Sequence, residues 1–268
     1  MPSPRPSVFA LAQIAVENGP GDRGIWPLPN LRSRIRVSFM ANGMPADFLE
    51  NADLFRGLQA YALSVVAQGA SRLPLQQGAQ LLKQGDPPDH LFMVERGRIK
   101  MSVVTPEGRQ LTLRFMGPGE IIGCAAIFRG IAYPATATAV EDTTVLSWSA
   151  AQINDLVRRF PPFAANALAI VGGRAVEMLQ RLRESATEKV EQRIARSLLR
   201  VAASLGTAGG RVTISRHDLA ELAGGTLYTV SRTISAWSRQ GIVSGGRGHV
   251  SIRDRARLMA IAGAGSMA

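Results

Sequence analysis

Cysteine, lysine and long apolar runs are all scarce in this sequence. Its single cysteine, Cys124, cannot form a disulfide within one chain and cannot hold a four-cysteine iron–sulfur cluster. No apolar run approaches the roughly 20 residues that span a bilayer. The N-terminus also lacks the basic start, apolar run and small-residue cleavage site of a secretory signal. We therefore expect a cytoplasmic protein with no membrane partner.

The charge of the chain is strongly positive and comes almost entirely from arginine. Lysine and arginine together number 31 against 20 acidic residues, which gives a formal net charge of +11. Such a balance favours a polyanionic partner, because cations that neutralise phosphates release bound counterions. The excess lies in one C-terminal segment, which holds Arg211, Arg216, Arg232, Arg239, Arg247, Arg253, Arg255 and Arg257 against Asp218, Glu221 and Asp254.

The same segment contains the pattern of a helix-turn-helix at 214–243. Ser215 is a candidate N-cap for the first helix, with Asp218 three residues on as in a capping box. Gly224 and Gly225 end that helix and allow a sharp turn. A second helix begins near Thr226, another good N-cap residue. Two short helices joined in this way are typical of a DNA-reading motif, and the alternative is a helical hairpin inside a core.

The second helix carries two distinct faces. One face is an apolar stripe that we expect to be buried, formed by Val230, Ile234 and Trp237. The opposite face carries short polar groups and one long forked cation: Tyr228, Thr229, Ser231 and Arg232. Such a face can enter a major groove, where arginine binds the O6 and N7 atoms of guanine in bidentate fashion. The sequence therefore predicts DNA recognition.

The segment 44–160 has the period-two alternation of short β-strands. Apolar residues alternate with polar neighbours in three runs: Leu91 and Met93; Ile99, Met101 and Val103; Leu111, Leu113 and Phe115. Glycine- and proline-rich turns separate the runs, and two more strands are predicted at 136–140 and 144–148. Together these strands predict a compact β-roll or barrel. A short helix over 48–58 precedes them, and 1–43 is predicted to be a poorly ordered extension.

A long helix is predicted over 161–186. Its apolar residues recur at spacings of four and three, the seam of a coiled coil lasting nearly three heptads: Ala164, Leu168, Val171, Ala175, Met178 and Leu182. Such a stripe could pack on its own β domain, but its length and its place between two domains favour a homodimer interface. A second helix over 188–205 has the spacing of a helix packed on the DNA-binding core, with Val190, Ile194, Leu198 and Val201.

Two short strands are predicted beside the helix pair, at 211–214 and 248–252. With these strands the helix pair becomes a winged helix-turn-helix. We assign this DNA-binding domain to 187–258, and 259–268 to a tail. The glycine-rich turn of the wing, 245–248, would place Arg247 near a backbone phosphate.

This order of a β-roll, a long helix and a winged helix-turn-helix resembles the Crp/Fnr family of regulators. The resemblance covers about 44–252 and rests on several motifs taken together: LFRGL (54–58), QGDPPDHLFMVERGRIKM (84–101), PEGRQLTLRFMGPGEIIG (106–123), RIARSLL (193–199) and TVSRTI (229–234). It implies an α+β fold with an N-terminal jelly roll of the cyclic-nucleotide-binding type, a dimerisation helix and a C-terminal winged helix-turn-helix. It also implies a homodimer on a near-palindromic double-stranded DNA site, with RNA polymerase as a partner.

The resemblance carries the family's DNA contacts onto this chain residue by residue. Positions that contact bases are Tyr228, Ser231 and Arg232, and positions that contact phosphates are Ser215, His217, Thr226 and Thr229. Arg232 matches the family's guanine reader. Tyr228 departs from the glutamate of many members, which accepts a hydrogen bond from cytosine, so the half-site should differ at that base pair. His217 and Thr226 could instead be simple helix-cap residues.

The effector pocket departs further from the family. Members that bind cyclic AMP have Gly-Glu-Leu followed by Arg-Ser, where this chain has Gly123, Cys124, Ala125, Tyr133 and Pro134. The positions facing adenine in the resemblance are both apolar here, Met178 and Leu179. A phosphate buried without an arginine or another donor is strongly disfavoured. We therefore expect no productive binding of cyclic AMP and no cofactor of that kind.

Other sensing chemistry stays open at this stage. A haem sensor could use Cys124 or one of His90, His217 and His249 as an axial ligand, although a lone cysteine in a β-roll is more often a small buried hydrophobe. A redox-sensitive thiol is a second alternative, but nothing nearby in sequence lowers the pKa of Cys124. A small apolar effector, or control through protein abundance alone, remains open. No metal site is predicted.

The sequence thus predicts a dimeric, sequence-specific transcription regulator and not an enzyme. No glycine-rich phosphate loop, metal-ligand cluster or nucleophile motif is present to support catalysis. One alternative is a regulatory ligand-binding module of an assembly that does not bind DNA. Another is an architectural DNA binder, which would show salt dependence with little discrimination between sequences.

Overall fold

The computed structural model describes residues 46–204, 211–246 and 248–263. In chain order these form a helical lead-in, a β-roll, a run of long helices and a winged helix-turn-helix. The predicted extension 1–43 and Arg247 of the predicted wing turn lie outside the described residues. Of the helices described, none combines the length and the apolar composition that crossing a bilayer requires.

The lead-in consists of α1 (Ala46–Glu50), a 3₁₀ turn (Asp53–Phe55) and α2 (Ala60–Gly69). The single helix predicted over 48–58 is therefore wrong. The extended backbone of Ala52 (φ −79°, ψ 132°) interrupts it and directs Phe55 into the core. Phe55 packs against Trp148 and Phe163 there, with ring centroids 5.7 Å and 6.0 Å apart. Aromatic contact across the β-roll thus outweighs the local helical pattern.

Eight strands form the β-roll as two antiparallel four-stranded sheets, with orders β1-β8-β3-β6 and β2-β7-β4-β5. The strands are β1 (Ser71–Leu75), β2 (Gln80–Leu82), β3 (His90–Arg96), β4 (Ile99–Val104), β5 (Gln110–Met116), β6 (Ile121–Ile122), β7 (Thr136–Ala139) and β8 (Thr143–Ser149). The short helix α3 (Cys124–Arg129) lies between β6 and β7. The strands predicted at 136–140 and 144–148 correspond to β7 and β8.

Burial follows the predicted alternation only partly. On β4 and β5 the apolar positions Met101 and Leu113 are half-buried and Leu111 is 36% exposed, whereas the polar alternates Ser102 and Thr112 are buried. Of the predicted apolar positions on these strands, Met101, Leu111 and Leu113 line an open cavity. Ile99 and Phe115 are buried, and Phe115 packs in the core of the C-terminal domain. On β3, by contrast, four successive residues are buried, Leu91, Phe92, Met93 and Val94.

Three helices connect the β-roll to the C-terminal domain: α4 (Ala150–Arg159), α5 (Pro161–Thr187) and α6 (Val190–Ser204). A capping box of Ser149 and Gln152 begins α4, and prolines at the first two positions begin α5. The long helix predicted over 161–186 is thus present within one residue. On α6 the predicted positions Ile194, Leu198 and Val201 are buried in the core of the C-terminal domain.

The C-terminal domain contains α7 (Arg216–Ala223), α8 (Leu227–Arg239), α9 (Arg255–Ile261) and a sheet of order β10-β11-β9. Its strands are β9 (Arg211–Thr213), β10 (Val243–Gly246) and β11 (His249–Ile252). Strand β10 was not predicted, because its two glycines were assigned to the wing turn. The boundary predicted at 258 is also misplaced: α9 crosses it, and Leu258 and Ala262 are fully buried in the domain core.

Contacts between β4–β5 and α7 join the two domains. Phe115 of β5 belongs to the apolar core of the C-terminal domain. Lys100 Nζ lies 2.7 Å from Asp218 Oδ1 of α7, and the Thr112 hydroxyl donates to the carboxylate of Glu221. We call these two polar pairs the inter-domain contact.

Candidate DNA-reading surface and effector cavity

The exposed helix of the helix-turn-helix, α8, is fixed at both ends. Thr226 caps it, because its Oγ1 accepts a hydrogen bond of 3.1 Å from the backbone N–H of Thr229. Val230, Ile234 and Trp237 are buried as predicted, and the indole N–H of Trp237 donates to Glu191 Oε1 of α6 at 3.0 Å. Because these contacts fix the orientation of α8, its opposite face stays exposed to solvent.

The predicted base-contacting residues lie together on that other face. Tyr228 is 73% exposed, Arg232 is exposed and Ser231 is half-buried between them. The guanidinium carbon of Arg232 lies 6.0 Å from the centroid of the Tyr228 ring. A contact at this distance is a cation–π interaction, which orders a long side chain before it meets its ligand. Tyr228 thus supports the arginine that the sequence assigned to guanine.

The turn between α7 and α8 depends on its two glycines. Gly224 has φ +60°, a left-handed conformation, and it ends α7 as predicted. A Cβ on Gly225 would lie 3.0 Å from Val190 Cγ1 of α6, so a side chain there would push the helices apart. This close approach sets the position of α8 beside α7.

Two predicted phosphate-contacting residues, Ser215 and Thr226, cap helices in the structure, and Thr229 lies in the first turn of α8. Ser215 Oγ accepts from the backbone N–H of Asp218 at 3.0 Å and donates to its carboxylate, while Thr226 and Thr229 share a hydroxyl contact of 3.0 Å. The expected capping box is incomplete, because the Asp218 carboxylate binds Ser215 Oγ and Lys100 instead of the backbone of Ser215.

Histidine 217 is the most exposed of the predicted phosphate contacts. Its ring is 66% exposed, and its Nδ1 lies 3.2 Å from Glu221 Oε1. His217, Asp218 and Glu221 are close enough to suggest metal ligands, but Lys100 and Thr112 already bind the two carboxylates. The trio is therefore better explained by the inter-domain contact.

Exposed arginines surround the reading helix. The exposed set comprises Arg211, Arg232, Arg239, Arg253, Arg255 and Arg257. Two of them are held in place: Arg253 Nε donates to Ser244 Oγ at 2.8 Å, and Arg257 Nη1 donates to the Gln240 carbonyl at 3.0 Å. The positive charge seen in composition is thus presented on the domain that carries α8.

The outer face of α5 is apolar and uncovered. Its large exposed residues are Leu168 (74%), Val176 (66%), Leu179 (67%) and Leu182 (67%), and Gly172 has no heavy atom within 4 Å of an added Cβ. A stripe of this kind on a helix is typical of a helix–helix interface.

The exposed residues of α5 include most of the predicted seam. Leu168, Ala175, Met178 and Leu182 are exposed, whereas Ala164 and Val171 are half-buried and Val171 packs against the core of the β-roll. Val176 and Leu179 are further exposed apolar residues of α5 that the predicted seam does not include. Met178 is 65% exposed and lies at the edge, where it also lines the cavity.

A cavity of about 730 Å³ lies between the β-roll, α5 and the helix-turn-helix. Of the predicted effector-pocket residues, six line it: Gly123, Cys124, Ala125, Tyr133, Pro134 and Met178. Leu179 does not. Adjacent helical residues point about 100° apart, so Leu179 lies on the uncovered face of α5 while Met178 reaches the cavity. The sequence did not foresee that residues near the helix-turn-helix, including Leu222 and Gly224, also line it.

The end of the cavity beside α3 is rigid. Gly123 has φ +91°, and a Cβ there would lie 3.1 Å from the Tyr133 ring. Tyr133 is buried, and its hydroxyl donates to the His90 carbonyl at 2.5 Å and accepts from the His90 backbone N–H at 2.9 Å. Its single hydroxyl proton is therefore committed, and Pro134 has no N–H to offer.

Cys124 is fully buried at the start of α3. Burial raises the pKa of its thiol to about 11, and the positive charge of Arg174 offsets only part of that rise. A thiol in this state is protonated and unreactive at neutral pH. The geometry thus gives no support to a redox-sensitive thiol. None of His90, His217 and His249 lines the cavity, so a haem there would find no histidine ligand among the described residues.

Arginines are the functional residues that sequence reasoning missed in the cavity. Five arginines line it, Arg114, Arg174, Arg181, Arg193 and Arg200, together with Glu177, Glu184 and Glu221. Desolvation tends to raise the pKa of Glu177, but the charges of Arg181 and Arg114 outweigh it and hold that pKa below its ordinary value. Their positions on β5, α5 and α6 gave no signal in sequence, because isolated arginines look like solvent-exposed residues.

Comparison with known proteins agrees with this architecture. The family model for cyclic nucleotide-binding domains matches residues 72–160, and that for the Crp-like helix-turn-helix domain matches residues 192–261. The "Cyclic AMP receptor protein" of Thermus thermophilus is 31% identical over 214 residues, covering 80% of this chain and 98% of that protein. The "Transcriptional activator protein anr" of Pseudomonas aeruginosa is 26% identical over 195 residues, covering 71% and 80%.

A solved structure gives the same fold. FixK2 from Bradyrhizobium japonicum superposes with a TM-score of 0.65 at 23% identity, covering 72% of this chain and 96% of that one. These observations define the class of the protein: a regulator that combines a β-roll with a winged helix-turn-helix. This chain belongs to the Crp/Fnr family of transcription regulators, and its helix-turn-helix is a DNA-binding domain. A module of an assembly that does not bind DNA is not favoured.

Proposed function

We propose that the chain acts as a homodimer whose two α8 helices read the half-sites of a near-palindromic duplex, and that it does so without a cyclic nucleotide. The observation that carries the proposal is the exposed face of α8. Tyr228, Ser231 and Arg232 lie on that face while the opposite stripe is fully buried. Half-sites would then lie about one helical turn apart.

The uncovered face of α5 supports the dimer. Leu168, Val176, Leu179 and Leu182 would be shielded from water by the same face of a second copy, which is the isologous arrangement of a two-fold dimer. Gly172 lets the two backbones approach closely. Family members are dimeric regulators, which agrees with this use of the face.

Base reading is assigned to Arg232 and its neighbours. Arg232 would bind the O6 and N7 atoms of a guanine, with Ser231 beside it. Tyr228 has no carboxylate to accept from cytosine N4, so the preferred half-site should differ from that of members with glutamate at this position. Ser215, His217, Thr226, Thr229 and Arg247 are assigned to phosphates, which position the helix without carrying sequence information.

The absence of cyclic-nucleotide response rests on the donors around α3. A cyclic phosphate needs charged or N–H donors, but Tyr133 has its hydroxyl proton committed and Pro134 has none, which leaves the Arg174 guanidinium as the one cation near Cys124 of α3 among the described residues. A neutral, buried Cys124 cannot replace a glutamate that binds ribose hydroxyls. Calorimetry should therefore detect no micromolar affinity for cyclic AMP or cyclic GMP, and such an affinity would overturn this part of the proposal.

Two further assignments follow from a DNA-binding regulator. We expect RNA polymerase to be the partner through which transcription changes, and we expect the protein in the cytoplasm with its DNA. The described cavity and surface offer no catalytic arrangement, and we assign no reaction to the chain.

Selection of bound duplexes from random DNA, followed by titration in increasing salt, tests the proposal. A specific regulator should enrich a near-palindrome and lose about 1–3 kcal/mol for each mismatched base pair. Inserting about half a helical turn between half-sites should abolish dimer binding, because the second α8 would face away from its groove. Enrichment of no motif, with salt dependence alone, would indicate an architectural binder instead.

A further inference from the structure

The cavity between the β-roll and α5 has an apolar wall and an arginine, Arg174, that makes a single hydrogen bond and no ion pair among the described residues. Its apolar lining comes from both sheets and from α5, with Leu82, Met101, Leu111, Leu113, Met116, Ile121, Ile122, Val171 and Met178. A volume of about 730 Å³ falls within the range of sites for drug-sized ligands. An apolar concave surface of this size is filled by a ligand that is itself mainly apolar.

Four of the five arginines in the lining have a carboxylate partner or several backbone partners. Glu177 binds Arg114 and Arg181 at 3.3 Å and 2.7 Å, and the Glu184 carboxylate accepts from Arg200. Arg193 has no carboxylate partner, but it donates to three backbone carbonyls, those of Glu188, Ala223 and Gly224. Arg114 Nε and Arg181 Nε are buried without a hydrogen-bond partner, so these two cations are paired but not fully satisfied.

Arg174 is the exception. Among the described residues its guanidinium makes one hydrogen bond, from Nη2 to the Ile121 carbonyl, and no ion pair. A guanidinium has five N–H donors, so most of its capacity is unused. Burial lowers the pKa of Arg174 and the charge of Arg114 adds to that effect, while Cys124, Glu120 and Glu177 offset only part of it. An anion beside Arg174 would reduce this cost, because it would bind the guanidinium directly.

The acidic group that fits Arg174 is a carboxylate. A guanidinium with most of its donors unused can bind one carboxylate in bidentate fashion. The neighbouring Cys124 is neutral and buried, so it does not repel an anion. Tyr133 and Pro134 supply no donor for a second oxyanion, as described above. The wall and the cation together define a ligand with an apolar body and a single acidic end.

We propose that this cavity binds a small apolar carboxylic acid, with its carboxylate on Arg174 and its body against the apolar lining between β4, β5 and α5. The inference rests on the proposed function, because it names the ligand class of the same effector domain. The body lies against Met101, Leu113 and Met116, and its far end reaches Leu222 at the helix-turn-helix. Such a ligand contacts both domains, so its binding can change the position of α7 and α8 relative to the β-roll.

Binding of two defined acids to the purified full chain tests the proposal. Isothermal titration calorimetry would compare decanoate and 2-naphthoate with decan-1-ol, which has the same chain without the charge. At least one acid should bind one molecule per protomer, at least ten times more tightly than the alcohol. Equal affinity for acid and alcohol, or binding of neither acid, would overturn the proposal.

Two variants locate the site. Arg174→Gln should weaken binding of the acid at least tenfold and leave that of the alcohol unchanged, whereas the matched control Arg158→Gln, at an exposed position outside the cavity, should change neither. Ala125→Leu, which places a larger side chain on the half-buried wall, should weaken both probes. Circular dichroism checks that each variant is folded. Undiminished binding of the acid by folded Arg174→Gln would contradict the assignment.

A parallel measurement separates this inference from the proposed function. The same preparations are titrated with a selected duplex in the presence and absence of the acid, and with cyclic AMP alone. Binding of the acid with no binding of any duplex would leave the cavity assignment standing and refute DNA reading. Binding of the duplex without acid binding would refute the ligand class only. Binding of cyclic AMP in place of the acid would refute the ligand class and also the proposal that the chain acts without a cyclic nucleotide.

Discussion

Arg232 is the residue on which base discrimination depends. Replacing it with alanine should cost about 1–3 kcal/mol of binding free energy and relax the preference at one base pair, because the bidentate contact to guanine is lost. Fluorescence anisotropy with a selected duplex and single-base variants measures both effects. Arg239→Ala, at the exposed end of α8, serves as the matched control and should weaken binding equally for all sequences.

A uniform loss for Arg232→Ala across all duplexes would assign this residue to phosphates. Its contact with the Tyr228 ring gives a further expectation. If the ring orders the guanidinium, Tyr228→Ala should reduce the discrimination made by Arg232, whereas Tyr228→Phe should preserve it, since phenylalanine keeps the aromatic face.

Cys124 should be inert in the native protein. Its thiol is fully buried, and its pKa is raised to about 11, so Ellman's reagent at pH 8 should label the folded chain far more slowly than the urea-unfolded chain. Rapid labelling of folded protein would restore the redox-sensor alternative.

The same raised pKa predicts a loss of stability in alkali. The unfolded thiol, with an ordinary pKa of about 9.0, releases its proton first as the pH rises, while the folded thiol, with a pKa of about 11, keeps its proton longer. The stabilising contribution is therefore complete below pH 9 and is lost through that window. Urea denaturation at pH 8 and pH 10.5 should show a larger loss for wild type than for Cys124→Ala.

At the scale of elements, the exposed face of α5 gives the sharpest prediction. Leu179→Asp should shift the protein from dimer to monomer, because it places two like charges across the paired helices without disturbing the β-roll. Analytical ultracentrifugation measures the mass. Val104→Asp is the matched control, since Val104 is 49% exposed on β4. A dimer that survives Leu179→Asp would show that another surface joins the protomers.

Sequence reasoning found the elements whose local signals agree with their packing. The helices α7 and α8 were predicted because N-caps at Ser215 and Thr226, a glycine turn and an apolar stripe all indicate the same boundaries. Strand β10 was missed because Gly245 and Gly246 look like a turn, and only pairing with β11 makes them extended. Tertiary contacts set that pairing, and a short stretch of sequence contains no signal for them.

Faces were harder to predict than elements. The apolar positions of β4 and β5 alternate as in a buried strand, yet Met101, Leu111 and Leu113 line a cavity and Thr112 contacts Glu221. Alternation identifies two faces without saying what covers each. The arginines of the cavity escaped notice for a related reason: a cation whose neighbours come from distant segments has no sequence signature.

At the scale of the whole molecule, the inter-domain contact holds α7 against the β-roll. Lys100→Gln would leave Asp218, whose side chain is 17% exposed, without its cation. We expect a loss of about 1–2 kcal/mol of unfolding free energy, between the values for surface and buried ion pairs. Urea denaturation measures it, and hydrogen exchange should increase in α7.

Lys83→Gln is the control for this change, because Lys83 is exposed and away from α7. A similar loss for both variants would attribute the effect to net charge and not to the pair. If the pair also restrains the reading helix, Lys100→Gln should alter the affinity for a selected duplex, although it touches no DNA-facing residue.

The arginine-rich character of the DNA-facing domain has a chemical consequence. The chain has only three lysines, Lys83, Lys100 and Lys189, and none follows position 189. Acylation of lysine, which removes positive charge from many nucleic-acid-binding surfaces, therefore has no target on α7, α8 or the wing. Arginine also keeps its proton at any pH a cell reaches. The positive charge of this surface is thus insensitive to lysine acylation and to pH, whereas rising ionic strength weakens its attraction to phosphate.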